Sequence, residues 1–560
     1  MIKIIEKYFP EWLELSLITL LYTLSNIWLL LNRGMYWDDQ TWLTLIKLNK
    51  WQTFWLTTEQ QKQYAQYYLM KFLALLGDVH LLSRFIAFFC WLIAALAIYL
   101  ILKRIFKIAS LTSFLITALF ALSPLFFERI ISAIVLYSIS NALFFLGALI
   151  YWSAASMERW YVRNTGIALA SVFFFVSFFT NSYLVFFFGF VILAIFHDRS
   201  LITQWRKKLL WMIFLPVLFW FIKQTGGDPY GLTANYNQFI FGQPGWIPKM
   251  IADLWSGIYC GLIWPLTVPW ALLERKIFMI VFIAALGCSW LAVHVVARYR
   301  SNEKKNGAYS TEGITEYRTY LWWGLILFAL GLIAYVLVGK SPHPHPFQMR
   351  HAMLLPIGAS LIYWSVLMLV VKEKFRAFIV SVICALFITW STYNYFTLDM
   401  DWYKQRSIIT RLREQSVQLT ARPTLIVFYD EIRQFGWMNR PLTLSDYFGN
   451  VTTALGTTTT IGIPAEEEQT ARDIFALREW MTGNPVPKSK PNIIHLSIVS
   501  QSDKKDLVTV RNWLWMKKTE LFGTEKEFEK LLDETFDIHL IPRKMSEKSL
   551  WDIEIEKEYK

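Results

Sequence analysis

Cysteine is scarce in this 560-residue chain, and the few present do not pair. There are four, Cys90, Cys260, Cys288 and Cys384, all in apolar surroundings and none at a paired spacing. That excludes a disulfide framework and a cysteine metal motif. Neither G-x-G-x-x-G nor G-x-x-x-x-G-K-[ST] occurs, so there is no nucleotide fingerprint. No convincing internal repeat is present either, which counts against a transporter built from repeated halves. Charge is sparse as well, at 17% of residues against 55% hydrophobic and 17% aromatic. A soluble domain is typically about 45–50% apolar.

The apolar excess lies in blocks of roughly 18–22 residues, recurring up to about residue 396, each long enough to span a bilayer. Candidate spans fall at 13–32, 81–102, 109–127, 131–152, 165–180, 182–196, 209–222, 277–297, 319–338, 351–371 and 377–396. The spans at 182–196 and 209–222 are short for a full crossing. The first block is too long for a signal-peptide core and reads as a retained signal anchor. The expected fold is a polytopic α-helical membrane protein of about eleven transmembrane helices with a C-terminal soluble α/β domain. Residues 1–396 form the membrane domain in this reading and 397–560 the soluble one.

The net charge is +13. A basic balance can mean nucleic acid, but here Lys and Arg gather in short loops, at Lys103–Lys107, Arg159–Arg163, Arg199–Lys208, Arg298–Lys305 and Lys372–Arg376. That is a topology signal, which puts these loops and the N-terminus in the cytoplasm and implies no nucleic-acid partner. Asp38, Glu128, the 223–276 loop, the 340–350 loop and the C-terminal domain are then outside. The stretch 249–273 is expected as amphipathic or re-entrant helix on the outer face, anchored by Trp246, Trp255, Trp264 and Trp270. In the soluble part, Thr424–Tyr429 and Asn492–Val499 read as buried strands, 466–481 and 526–534 as helices, and 456–460 as loop.

Two adjacent acids, in Tyr36-Trp37-Asp38-Asp39-Gln40, follow the first hydrophobic helix. Carboxylates near hydrocarbon are expensive and mark candidate functional sites. The bland alternative is that they end the helix at the headgroups. They open a connecting loop of about 48 residues, too long for a mere connector. Within it, Trp42–Ile46 and Trp51–Trp55 are expected as helices on the membrane surface. Further on come Gln66-Tyr67-Tyr68-Leu69-Met70-Lys71, Leu76-Gly77-Asp78, Ser83-Arg84-Phe85, Leu122-Ser123-Pro124-Leu125-Phe126-Phe127-Glu128-Arg129, and Phe347-Gln348-Met349-Arg350-His351-Ala352-Met353-Leu354-Leu355-Pro356.

The order of these elements resembles the GT-C glycosyltransferases, polytopic enzymes that use polyprenyl-phosphate sugars, and within them the bacterial protein mannosyltransferases and aminoarabinose transferases. The resemblance covers roughly residues 10–370 and rests on order more than on any one motif. It departs from the family at Ala65-Gln66, where a Pro-Pro is usual, at Asp39 for Glu, and at Arg350-His351 for Arg-Tyr.

The resemblance implies an inverting glycosyltransferase, acting outside a bacterial inner membrane among its lipids. The donor would be a polyprenyl-phosphate sugar. The acceptor would be a hydroxyl on a glycan, lipid or protein, which the soluble domain would shape or recruit. Asp38 matches the family's general base, and Asp39 is the alternative base or holds the acceptor or a cation. A hydroxyl is a weak nucleophile until its proton is taken, so a carboxylate must lie within reach.

Arg350, with His351 and Lys340, matches the group that holds the lipid phosphate. A fixed guanidinium there stabilises the leaving charge, although an interfacial arginine also snorkels to headgroups. His343 and His345 stand nearby in a proline-stiffened loop, and a metal, a phosphate contact and a purely structural role all stay open for it. Glu128 matches the second-loop acid, or pairs with Arg129. A divalent cation held by Asp38, Asp39 and Glu128 also stays open, since hard cations prefer carboxylate oxygens. Rival readings are a flippase of lipid-linked sugars, a glycan polymerase or ligase of another polytopic fold, and a structural scaffold.

Overall fold

The computed structural model describes residues 11–197, 205–227, 229–230, 239–242, 244–304, 314–344, 348–416, 419, 424–435, 439–457, 460–465, 492–500 and 509–544. Most of these are helical. Among the described residues, seven helical segments are long and apolar enough to cross a membrane: Trp12–Leu31, Val79–Ile105, Ser132–Ala155, Trp246–Glu274, Lys276–Tyr299, Thr315–Val336 and Glu373–Glu414. Six of them coincide with expected spans. The other expected spans are met by Ser110–Leu122, Trp160–Ser177, Ser182–His197, Trp205–Thr225 and Leu355–Val370, of which the first, third and last are under 18 residues. Phe89, Val217, Phe221, Ile280, Ile283 and Leu291 stand exposed on these helices. Apolar faces of this extent suit a hydrocarbon solvent rather than water.

The expectation of a surface or re-entrant helix near 249–273 meets a helix of membrane length, Trp246–Glu274. Its contacts explain why length alone does not make it a connector between opposite ends. At its start, the Lys249 side chain lies beside Gly339, just past the C-terminal end of the 315–336 helix, and further along Ser256 donates to the Pro342 carbonyl at 2.8 Å. Phe278, just past the segment, packs against Tyr393 and Phe396, near the point where the last long helix meets the sheet. Both ends therefore lie at the same end of the bundle.

That last helix, Glu373–Glu414, runs unbroken for 42 residues. The boundary expected at 396/397 falls inside it. Its apolar pattern stops near Phe396, but the polar residues from Asp399 to Gln405 are buried and hydrogen-bonded. Asp399 accepts from Asn32 at 2.7 Å, from Lys517 at 2.7 Å and from Trp513 at 2.8 Å. Lys404 donates to both oxygens of Asp430, at 2.8 and 2.6 Å. Buried charges persist where they are paired and hydrogen-bonded, so the helix continues into the sheet-bearing segment.

The sheet has four strands, β1 (Thr424–Asp430), β2 (Ile461–Pro464), β3 (Asn492–Ser500) and β4 (Ile538–Pro542), in the order β2-β1-β3-β4. β1 pairs in parallel with β2 and β3, and β3 pairs antiparallel with β4. The two expected strands are β1 and β3, and the expected helix at 526–534 is Glu525–Phe536. The expected helix at 466–481 lies outside the described residues. Alternate residues of β1 face opposite ways, as a pleated strand requires. Leu425 and Val427 meet Phe448, Ile461 and Ile463, while Ile426 and Phe428 join the main core. Phe448 comes from the helix Leu444–Leu455. A Thr443–Asp446 capping box starts that helix and Gly456, at φ 66°, ends it in the left-handed conformation glycine favours.

Candidate functional site

Six residues after the first helix ends at Leu31, the chain turns and starts a second one, Asp38–Lys47. The turn is made at Trp37, whose φ of 47° and ψ of −120° are foreign to an L-residue with a bulky side chain. Such a conformation costs roughly 1–3 kcal/mol and persists only where its surroundings impose it. Asp38 and Asp39 are the first two residues after it, in the first turn of the new helix, where the free amides and the helix dipole favour negative charge.

The two acids do different work. Asp39 is fully buried, and its carboxylate accepts the backbone amides of Ser132 at 3.0 Å and Ala133 at 2.7 Å. It therefore caps the short helical turn Ser132–Ile134 and joins two loops distant in sequence. Burial, the largest influence, pushes its pKa up to about 7, against the pull of those two amides and of Arg84. Asp38 is half-buried, and no described residue donates a hydrogen bond to its carboxylate. Burial raises its pKa, the Arg350 guanidinium opposes that, and the Asp446 charge adds to it. Of the expected pair, only Asp38 has a carboxylate left for a ligand.

Arg350 lies in a short helical turn, Gln348–Ala352, just before the helix Leu355–Val370. Its Nε donates to the Nε2 of His351 at 3.3 Å. Burial first, then the Arg350 and Lys340 charges, hold His351 down to about 3, so its ring is neutral and can accept that bond. The ring also packs on Tyr335, 5.3 Å between centroids. Lys340 is brought down to about 8, by burial and then by Arg350. Two cations, a neutral histidine and an acid with an open carboxylate thus share one neighbourhood. Such a set can take a proton from a hydroxyl and hold an anion.

The remaining expected residues divide. Arg129 is buried: its Nη2 donates to Asn26, and its guanidinium lies 5.2 Å from the Trp91 ring centroid and 5.9 Å from that of Tyr22. The Glu128 side chain and His345 lie outside what the structure describes. Among the described residues no three His, Cys, Asp or Glu side chains gather as a metal site would require. Arg84, at the start of the second helix span, is 1% exposed and donates to the Asn32 carbonyl and side chain and to the Gly34 carbonyl. Its charge is spent on the loop just before Trp37, where three acceptors replace the water it loses.

Sequence reasoning missed the groups that reach this turn from the far end of the chain. Asp446 accepts the Trp37 backbone N–H at 3.1 Å. The Arg440 guanidinium lies 4.5 Å from the Trp37 ring centroid and bridges Asp446, at 2.6 Å, to Asp401, at 2.7 Å. The Thr443–Asp446 capping pattern is visible in the sequence, but its link to Trp37 is not.

An apolar cleft of about 550 Å³, its open side included, lies in the half of the bundle away from Asp38, lined by residues such as Phe106, Phe144, Trp152, Phe190 and Trp323. Among the described residues its lining is entirely apolar. Compared with protein-family models, curated proteins and solved structures, the chain has no match.

Proposed function

We propose that this chain is a membrane glycosyltransferase of GT-C type, taking a sugar from a polyprenyl-phosphate donor and passing it with inversion to an acceptor hydroxyl. Asp38 removes the hydroxyl proton, and the acceptor oxygen attacks the anomeric carbon. The bond from that carbon to the phosphate oxygen breaks, and the polyprenyl phosphate leaves with the electron pair. Arg350 and Lys340 meet that charge, which is the kind of stabilisation that counts most when the donors are fixed in advance. The neutral His351 orients Arg350.

The observation that carries this reading is the contrast between two adjacent acids. Asp39 is committed to the Ser132 and Ala133 amides, while Asp38 keeps a raised pKa and an open carboxylate opposite Arg350. A raised pKa makes a better base near neutral pH. The topology in this reading has eleven crossings: six of the seven long helices without Trp246–Glu274, the shorter apolar helices Ser110–Leu122, Ser182–Leu193, Ile213–Thr225 and Leu355–Val370, and Trp160–Ser177. In this reading the protein sits in a bacterial inner membrane, and the loop-charge bias supports an outer location for the site and the sheet.

The test is the glycan profile of cells lacking the gene, complemented with wild type or Asp38→Asn. A missing sugar restored only by wild type supports the proposal and identifies the product. An unchanged profile, or full rescue by Asp38→Asn, removes it.

A further inference from the structure

We infer that the C-terminal sheet-bearing segment is part of the reaction centre's scaffold, with Asp446 and Arg440 as positioning residues that hold Trp37 in its left-handed turn and so aim Asp38. The inference rests on reading Asp38 as the base, and it goes beyond a role for this segment in shaping or recruiting the acceptor.

Trp37 is the residue whose backbone angles set the direction in which Asp38 leaves the turn. Its φ of 47° is one that tryptophan does not hold unaided. The hold therefore comes from outside the turn, and the groups supplying it lie some 400 residues away in sequence. Asp446 takes the Trp37 N–H and Arg440 covers the indole face. Arg440 is itself fixed, since its Nε and Nη2 reach Asp401 at 2.7 and 2.9 Å and its Nη1 reaches Asp446 at 2.6 Å. An arginine on an aromatic face, with carboxylates at its edge, has little freedom left.

A second contact fixes the helix that carries Asp38. Gln40 donates to Gln405 at 2.7 Å and to the Met35 carbonyl at 3.2 Å. On its other side lies Gly449, in the helix Leu444–Leu455. A Cβ added there would come within 2.9 Å of the Gln40 carbonyl and closer still to its side chain. Two helices from opposite ends of the chain thus meet at a glycine, at a separation no side chain would permit. Asp446 also stands close enough to raise the Asp38 pKa, so the same carboxylate that holds the turn makes the base stronger.

The experiment is hydrogen exchange of the full chain in detergent, read at the Asp39 and Gln40 amides, which bond to the Tyr36 and Trp37 carbonyls and to neither substituted residue. It is paired with the transfer rate per folded molecule and with binding of polyprenyl phosphate. Asp446→Ala removes the acceptor, and Asp446→Asn keeps one. Because Asp446→Ala also loses the helix cap, Gly449→Ala serves as a second variant that leaves every charge in place.

The expected result is exchange roughly tenfold faster or more at Asp39 and Gln40, in Asp446→Ala because a charged hydrogen bond is lost and in Gly449→Ala because the added methyl group meets the Gln40 carbonyl and side chain. Transfer falls by a comparable factor while polyprenyl phosphate affinity is kept, and Asp446→Asn, which keeps an acceptor for the Trp37 N–H but gives up the charge facing Arg440 and Asp38, speeds exchange less than Asp446→Ala does. Unchanged exchange in both alanine variants overturns the inference. So does faster exchange with undiminished transfer, in a protein whose Asp38→Asn variant is inactive. If Asp38→Asn transfers normally, the base assignment fails instead, the catalytic part of this inference falls with it, and the exchange result alone decides whether the segment holds the turn.

Discussion

The Asp39 carboxylate accepts the Ser132 backbone N–H at 3.0 Å, across 93 positions of chain. The bond makes Asp39 a structural acid, and it carries a pH signature. In the folded protein the group titrates near 7, because burial outweighs the amides it accepts. In the unfolded chain it titrates near about 3.9.

Between those values the unfolded state has released a proton that the folded state keeps. The stability Asp39 contributes is therefore complete below about pH 4 and is lost as pH rises to about 7. Asp39→Asn has no such dependence. The melting temperature of wild type relative to Asp39→Asn should fall between pH 4.5 and 7.5, and a constant difference would contradict the assignment.

Lys340 should give polyprenyl phosphate binding its own pH dependence. Burial and the neighbouring Arg350 bring its amine down to about 8. Below that value it presents a charge to the phosphate, and above it the charge is lost. Affinity should weaken as pH rises through about 8, and Lys340→Gln should flatten that part of the curve. His351, held near 3, should add no inflection around pH 6–7.

Arg350→Ala should have two effects at once. Loss of a charged hydrogen-bond partner is worth about 1.5–3 kcal/mol, or roughly 10–100-fold in polyprenyl phosphate affinity. Arg350 also lowers the Asp38 pKa, so the acidic limb of the transfer profile should move to higher pH in this variant. Unchanged affinity would remove Arg350 from the phosphate site.

Lys404 tests the join between the last helix and the sheet. Its ammonium, 0% exposed, is held by Asp430 and by the Ile432 carbonyl at 3.2 Å. Lys404→Met would leave the Asp430 carboxylate buried without its cation, and breaking such a pair costs about 3–5 kcal/mol. A clear drop in melting temperature is expected, and a drop in β1 protection should accompany it.

The parts of this fold that read from the sequence are those governed by local pattern. Apolar runs mark the helices, because a bilayer rewards continuous hydrophobicity. β1 stands out because a strand buried on both faces is apolar along most of its length, and β3 because its branched apolar residues fit a pleated sheet although its first half is only partly buried. What did not read is long-range polar satisfaction. The last helix looks as if it ends at Phe396 because Asp399, Asp401, Lys404 and Gln405 break the pattern, yet each is buried against a partner outside the helix, Lys517, Arg440, Asp430 and Gln40 in turn. Arg84 looks like an anchor for the same reason, since its acceptors are backbone and side-chain oxygens of the 32–34 turn. The Asp38–Asp39 pair was visible as a candidate site. Its division into an open acid and a capping acid depends on two amides at Ser132 and Ala133 that no spacing rule points to.

That division is the centre of the account, and side-by-side transfer by Asp38→Asn and Asp39→Asn tests it most directly. Each rate is taken per folded molecule, with polyprenyl phosphate binding as the control. Asp38→Asn should lose about 10²–10⁴-fold in transfer, the usual contribution of a general base, and keep its binding. Asp39→Asn should keep most of its transfer. Wild-type transfer by Asp38→Asn would contradict the account.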